Sequence, residues 1–428
     1  MGFVVELLST PRIAGQNPFN GQPASRAAVA AARGRCSVLE TLRIGIIVRS
    51  FPLDRLNLQP WRYLTELARA LRDVGHEVRF VIGARGIESW EGIPVARHDS
   101  LREFEEADGL RRLAVAHSLD GGICRLTASL FSSMRPEAQN PSGGARLVGV
   151  LLRSLHTGPD LLRRFLDPSL VPEMGLDLHH IAMFLSRQRR TWRLAPQYFR
   201  GAVFLWEGDR ALGAAAGLTP RFCRTLPVPF DAFWLDRRAE GTSTLLERIP
   251  TSERRVVFAG PPEASRGVRD VLRLPAVLSR ERATQILALL RDPRLAEPSI
   301  ATRSVGPHTL VVVRGMVSRE EMRAIYHTCH AAVFPYRWVR TGFPLVIPEA
   351  VAAGLPVVTT RVHPFRGLEG RSGLVFAGRG DVRGLASAVD RVLSERERGA
   401  IERANAEWIR RTSGWLDVAR GYVESMGT

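Results

Sequence analysis

Residues 342–360, Gly342-Phe343-Pro344-Leu345-Val346-Ile347-Pro348-Glu349-Ala350-Val351-Ala352-Ala353-Gly354-Leu355-Pro356-Val357-Val358-Thr359-Thr360, decide how this chain is read. They spell a glycine turn, a short helix with one acid, and a strand. Pro348 stands where a first helical turn tolerates a missing N–H. Gly354 stands where a helix ends in the left-handed region. The run from Leu355 to Thr360 is apolar and β-branched, as a parallel strand covered on both faces must be. A loop that feeds a helix start presents free N–H groups and the positive end of a dipole, which suits a phosphate. Glu349, about one turn in, is placed to accept hydrogen bonds from ribose hydroxyls beside that phosphate.

The stretch resembles the donor-binding signature of the retaining family-4-type glycosyltransferases, the glycosyl transferases group 1. That resemblance implies an α/β chain of the GT-B type, two doubly wound Rossmann-like domains facing a central cleft. In the family a Glu, seven residues and a second Glu bracket the turn. Glu349 stands at the second acid, and Thr341 stands where the first would be. The resemblance implies donor contacts from Thr341, Gly342, Phe343, Pro344, Leu345 and Glu349, with the turn's N–H groups on phosphate. The contact that the first Glu makes to sugar or ribose is missing. A plain α/β loop and helix is the alternative reading.

Working outward, Arg255–Gly260 is expected as a strand, followed by the loop Pro261-Pro262-Glu263-Ala264-Ser265-Arg266-Gly267 and a helix. In the family this loop carries an Arg and a Lys-Gly pair that hold the donor diphosphate. Arg266-Gly267 stands at the pair, and Pro261 at the first Arg. Gly260, Ser265, Arg266 and Gly267 are thus implied donor contacts, with Arg266 on the diphosphate. Leu310–Arg314 is the next strand. Ser318 and Glu321 have capping-box spacing for a helix over Arg319–Thr328. The resemblance puts the nucleobase against the backbone of Gly315, Met316 and Val317.

Further towards the N-terminus, Arg43–Val48 is a buried strand and Glu77–Ile82 the next. Between them a helix carries Leu64, Leu67, Ala68 and Leu71 on one stripe, a Rossmann-like opening. The first loop, where relatives carry paired glycines, here reads Asn57-Leu58-Gln59-Pro60-Trp61. Residues 100–175 are the least legible. Arg146–Leu155 and Asp160–Leu166 are basic and amphipathic, carrying Arg146, Arg153, Arg163 and Arg164. They read as a packed helix pair or as a membrane-surface patch. Asp177-Leu178-His179-His180 resembles the family's short strand ending in Asp-x-x-His, which implies that His180 lies at the cleft near the reacting sugar; a plain strand-end His is the other reading. Arg187, Arg189, Arg190, Arg193 and Arg200, with Trp192 and Tyr198 between them, form a basic patch or a solvated helix face. Ala202–Glu207 is read as a strand.

The expected organisation is a flexible extension over 1–41, an acceptor-binding domain over 42–235 and a linker over 236–252. A donor-binding domain over 253–405 and a terminal helix over 406–428, crossing back to the first domain, complete it. That helix is read from Trp408–Met426. The resemblance spans about 42–100 and 177–425.

Composition sets outer bounds. The chain has 428 residues, 45% of them apolar and 24% charged, which suits two globular domains. All 60 basic residues are Arg and the net charge is +17, which favours anionic partners: nucleotide sugars, lipid phosphates, anionic membrane or nucleic acid. Nucleic acid is the weaker of these, since the arginines are spread and no nucleic-acid-binding motif stands out. Cys36, Cys124, Cys223 and Cys329 lie far apart and read as reduced structural thiols. No apolar run is long enough for a membrane span. No clean apolar core follows a charged start, so the cytoplasm is the expected location, with peripheral contact at the inner face of the cell membrane.

Together these readings imply an enzyme that moves a hexose from a UDP or GDP sugar to a glycan, polysaccharide or lipid-linked acceptor with retention. No cofactor is expected, and no Asp-x-Asp metal motif is present. Glu349, Arg266 and His180 carry the expected chemistry. A non-catalytic relative that binds a nucleotide sugar or a partner protein is the second reading. A Rossmann oxidoreductase is disfavoured, because no Gly-x-Gly-x-x-Gly follows either opening strand.

Overall fold

A computed structural model describes residues 40–52, 60–83, 87–136, 145–188, 191–219, 221–236, 243–340, 342–370 and 372–427. The expected extension over 1–41 lies almost wholly outside these residues, as do Thr341, Arg189, Arg190 and most of the first loop.

Two sheets organise the chain from Leu42 onward. The first contains β1 (Arg43–Val48), β2 (Glu77–Ile82), β3 (Ser89–Trp90), β4 (Ile93–Arg97), β5 (Gly121–Arg125), β6 (Arg146–Leu151), β7 (Gly201–Phe204) and β8 (Cys223–Thr225), in the order β3-β4-β2-β1-β5-β6-β7-β8. All pairs are parallel except β3 with β4. The second contains β9 (Arg255–Gly260), β10 (Gln285–Arg291), β11 (Ser299–Val305), β12 (His308–Gly315), β13 (Ala331–Phe334), β14 (Val357–Thr360) and β15 (Val375–Ala377), in the order β11-β12-β10-β9-β13-β14-β15. Only β11 runs antiparallel.

The strand order reverses between β1 and β5 and again between β9 and β13. In such sheets ligands bind outside the carboxyl ends of the strands at the reversal. At the second reversal those ends feed the loops Gly260–Gly267 and 335–345, so the two motifs most informative in the sequence meet there. Helix Val346–Ala352 holds Pro348 in its first turn and is followed by Gly354 at φ +88°. Helix Arg319–Thr328 has the capping box between Ser318 and Glu321.

Three readings are corrected. Arg146–Leu155 is no helix: its first half is β6, with Leu147 to Leu151 buried between β5 and β7. The continuous run Leu147–Leu151 is that of a central parallel strand covered on both faces, which has no solvated face. Gly149 is required there, since a Cβ would lie 2.4 Å from the Leu126 side chain. Asp177–His180 is no strand either; helix Leu178–Gln188 begins there. The region read as one terminal helix is two, Glu395–Arg411 and Trp415–Gly427, interrupted at Thr412-Ser413-Gly414. The second packs on helix Trp61–Asp73, where the Tyr63 and Tyr422 hydroxyls are 3.2 Å apart and Trp415 lies 5.3 Å from the Tyr63 ring.

Two smaller differences follow. Glu207 starts helix Glu207–Ala215 instead of ending β7. In the basic patch, Trp192 and Tyr198 are core residues, Trp192 stacked on Phe131 at 4.0 Å. Cys124, Cys223 and Cys329 are buried free thiols. Among the described residues, no helix is long and apolar enough to cross a membrane.

Candidate active site

The loop after β9 turns through Ala264–Arg266 and reaches Gly267 at φ +75°. Only glycine fits there, because a Cβ would lie 1.9 Å from the Pro335 carbonyl oxygen on the loop after β13. Ser265 is buried, and its carbonyl accepts the N–H groups of Arg337 and Trp338 at 2.8 and 3.0 Å. These contacts lock the two loops of the reversal into one surface. Arg266 lies along Tyr336, donating to its hydroxyl at 2.8 Å, with Glu263 3.8 Å away.

Gly315, at φ +144°, ends β12 and accepts the Asp292 N–H. Met316 is exposed and Val317 packs on the core. Phe343 is buried edge-on against Trp206 at 4.4 Å, the Pro344 carbonyl accepts from Ile347, and the Leu345 carbonyl accepts from Glu349.

Two residues expected at the donor have partners within the chain. The Gly342 N–H, assigned to phosphate, donates to the Leu152 carbonyl of the first sheet's domain at 2.9 Å. Glu349, assigned to ribose, is bound by Arg62 from helix Trp61–Asp73; the same guanidinium reaches Asp231 at 2.9 Å, and Arg319 joins Asp231 from the other side. Burial opposes the Arg62 charge, but Glu349 and Asp231 outweigh it and raise its pKa. Space beside Glu349 amounts to only about 20 Å³, the room of one water. The acid that marks the motif is occupied from across the cleft, because a lone buried carboxylate is costly without a partner.

His180 lies in the first turn of its helix, buried against residues from both sheets' domains. It is 2% exposed, edge-on to His156 at 4.8 Å and to Trp338 at 5.7 Å. Burial, reinforced by Arg153, pushes it down to about 3, and His179 likewise. Both imidazoles are therefore neutral at ordinary pH. Burial likewise lowers Arg125, to about 10, with Arg153 repelling it. Burial also raises Asp209 to about 7, where its carboxylate accepts the Leu155 N–H at 2.9 Å.

The sequence reading missed several residues around His180. His156 stacks on Trp338 at 3.7 Å and meets the Val339 carbonyl at 3.0 Å. A cavity of about 320 Å³ opens beside them, lined also by Asp160, Arg337, His363 and Arg379. Arg340 reaches Asp177 at 2.8 Å and Glu263 at 3.0 Å. No sequence signal marked His156 or Trp338; Arg340 could have been found as the cation next to the departure at Thr341. Tyr336 accepts from Arg266 and feels the charges of both Arg266 and Glu349, and Arg340, which binds Glu263, also acts on His180; the cavities beside Glu349 and beside His156 are separate and neither holds two of Arg266, Glu349 and His180. Among the described residues no group of His, Cys, Asp and Glu is arranged to hold a metal ion.

Residues 253–395 match the family model of the glycosyl transferases group 1. This stretch, one third of the chain, is similar to the glycosyl transferases group 1. The matched residues are built on the second sheet. A D-inositol 3-phosphate glycosyltransferase of Corynebacterium urealyticum is 27% identical over 187 residues, 43% of this chain and 38% of that protein. A glycogen synthase of Mycobacterium tuberculosis is 32% identical over 186 residues, 40% of this chain and 42% of that protein. The alignments thus span about two fifths of each relative. The whole fold resembles sucrose-phosphate synthase from Thermosynechococcus elongatus, with TM-score 0.62 at 14% identity, covering 90% of this chain and 98% of that one. It also resembles an E. coli trehalose-6-phosphate protein bound with UDP-2-fluoro glucose, with TM-score 0.59 at 12% identity, covering 90% and 98%. Both sheets follow the GT-B arrangement.

Proposed function

We propose that the protein is a retaining glycosyltransferase that moves a hexose from a UDP or GDP sugar to a glycan, polysaccharide or lipid-linked acceptor without a metal. The observation that carries this reading is the paired loop surface at the second reversal. There Gly267 lets the β9 loop close on the β13 loop, beneath Arg266 and inside the stretch similar to group 1. Such a transfer asks the protein for positioning and for charge. The transition state is oxocarbenium-like and the diphosphate leaves with negative charge, which Arg266 and backbone N–H groups stabilise. The acceptor hydroxyl must be held on the face from which the diphosphate departs. Neutral His180 and the His156–Trp338 stack form the cleft wall for the sugar, donating or accepting hydrogen bonds without adding charge.

Peripheral contact with an anionic membrane belongs to the same proposal. Leu162, Phe165, Leu166, Val171, Met174, Leu178 and Leu185 are exposed within one short region, with Arg163 beside them. Arg164, read from the sequence as part of that surface, is fully buried against Asp177. A non-catalytic nucleotide-sugar binder remains the second reading, favoured by Pro261 and Thr341 and by the occupation of Glu349 by Arg62.

The test is thermal and chemical unfolding with UDP, GDP and ADP, with Arg266→Ala as control. A nucleotide at 100 times its dissociation constant adds about 2.7 kcal/mol. Stabilisation by one nucleotide, lost in the control, is expected. Turnover of no donor sugar despite that binding would leave the non-catalytic reading, and stabilisation unaltered in the control would refute the role of Arg266.

A further inference from the structure

The segment 167–177 leaves helix Gly158–Leu166 and runs across the cleft to the second sheet's domain. Arg337 ties it there, donating to the Ser169 hydroxyl at 3.0 Å while its other nitrogens bind Asp270. At the centre of the segment, the Glu173 carboxylate accepts the N–H groups of Ala264 and Ser265 at 2.5 and 3.3 Å. Arg340 closes on the same carboxylate at 2.5 Å. An anion held by two consecutive backbone N–H groups and one guanidinium is coordinated as a phosphoryl oxygen pair would be. The loop that binds it is the one whose next residues are Arg266 and Gly267. Leu170 and Asp177 anchor the ends of the segment in buried surroundings, while Val171 and Met174, on either side of Glu173, are exposed, so it is the middle of the segment that lies at the surface.

We propose that Arg340, together with the Ala264 and Ser265 N–H groups, is the second clamp on the donor diphosphate, and that Glu173 occupies that clamp as a built-in anion which the donor displaces. This rests on the donor-site reading above. It also answers the departure at Pro261: the cation missing from the β9 loop is supplied from the β13 loop. Arg340 is held ready for this by Asp177, which is itself anchored by the fully buried Arg164. When the donor enters, Glu173 gives up three partners and swings to solvent, while Asp177 and Glu263 keep Arg340 in place. Apparent affinity is reduced by the fraction of time the clamp is filled.

The experiment is isothermal titration of UDP, GDP and inorganic pyrophosphate into wild type, Glu173→Ala, Glu173→Gln and the double variant Glu173→Ala/Arg340→Ala. If Glu173 fills the clamp nine-tenths of the time, both single variants bind about tenfold more tightly than wild type. The double variant then loses at least about tenfold relative to Glu173→Ala, as expected for one charge-assisted contact. Equal affinities in wild type and both single variants would overturn the occupancy by Glu173. A double variant that binds as Glu173→Ala does would overturn the role of Arg340, reducing it to a strut for the segment. Pyrophosphate bound more tightly by the single variants, with no nucleotide bound by any protein, would uphold the anion clamp and sink the nucleotide-sugar reading alone. No binding of any of the three ligands would sink both.

Discussion

Lowering the pH should unfold this protein through its cleft histidines, and His180 allows the effect to be worked out. Its ring is 2% exposed and faces Arg153, Arg340 and Arg164, with His156, His179 and Trp338 against it. Burial, then Arg153, depresses its pKa from the ordinary 6.5 to about 3. The unfolded chain takes up a proton as pH falls through 6.5, and the folded chain does not until about 3. Stability from this group is therefore complete above pH 6.5 and is lost progressively below it. At pH 5 the gap is 1.5 pH units from the unfolded pKa, which at 1.36 kcal/mol per unit is about 2 kcal/mol from one side chain. Urea unfolding of wild type and His180→Asn at pH 7.5, 6.5, 5.5 and 5.0 measures it. Asn removes the titration while any packing cost it brings is independent of pH. His156 and His179 act in the same direction, and Asp209, whose raised pKa makes stability fall as pH rises towards 7, acts in the opposite one. All three cancel in the difference between the two proteins. That difference should shrink by about 2 kcal/mol between pH 7.5 and 5.0. Parallel stability curves would refute the burial argument, and with it the claim that His180 meets its ligand as a neutral imidazole.

Two further outcomes are expected. Arg62→Ala leaves Glu349 without its cation and Asp231 with Arg319 alone, and should cost about 3–5 kcal/mol in urea unfolding; a loss below about 1 kcal/mol would mean that the cross-cleft pair is solvated and dispensable. Replacing Phe165 and Leu166 by Ser should weaken sedimentation with anionic phospholipid vesicles by at least about tenfold, since each buried apolar side chain contributes roughly 1.5–3 kcal/mol; binding unchanged by both substitutions, or absent in wild type, would remove the membrane from the proposal.

The local devices were legible because each is written within one stretch of chain. The β9 and β14 strands are continuous apolar runs, Gly354 and Gly267 take left-handed conformations that only glycine adopts at little cost, and the Ser318–Glu321 box spans a single turn. That the loops after β9 and β13 meet follows from the strand order, which places β13 beside β9 on the side opposite β10. The tertiary structure alone decided what fills the site. Arg62 and Glu349 are 287 residues apart, Arg340 and Glu173 are 167 apart, and no local pattern ties either pair together. It also decided the fate of Arg146–Leu155 and Asp177–His180, short stretches that fit a helix or a strand equally well until their neighbours supply or withhold a sheet edge. The sequence by itself determined the alternation of strands and helices and the tight glycine turns after them, because both rest on backbone geometry. Which charges stand there depends on side chains brought from distant elements, and burial then decides which of them stay ionised.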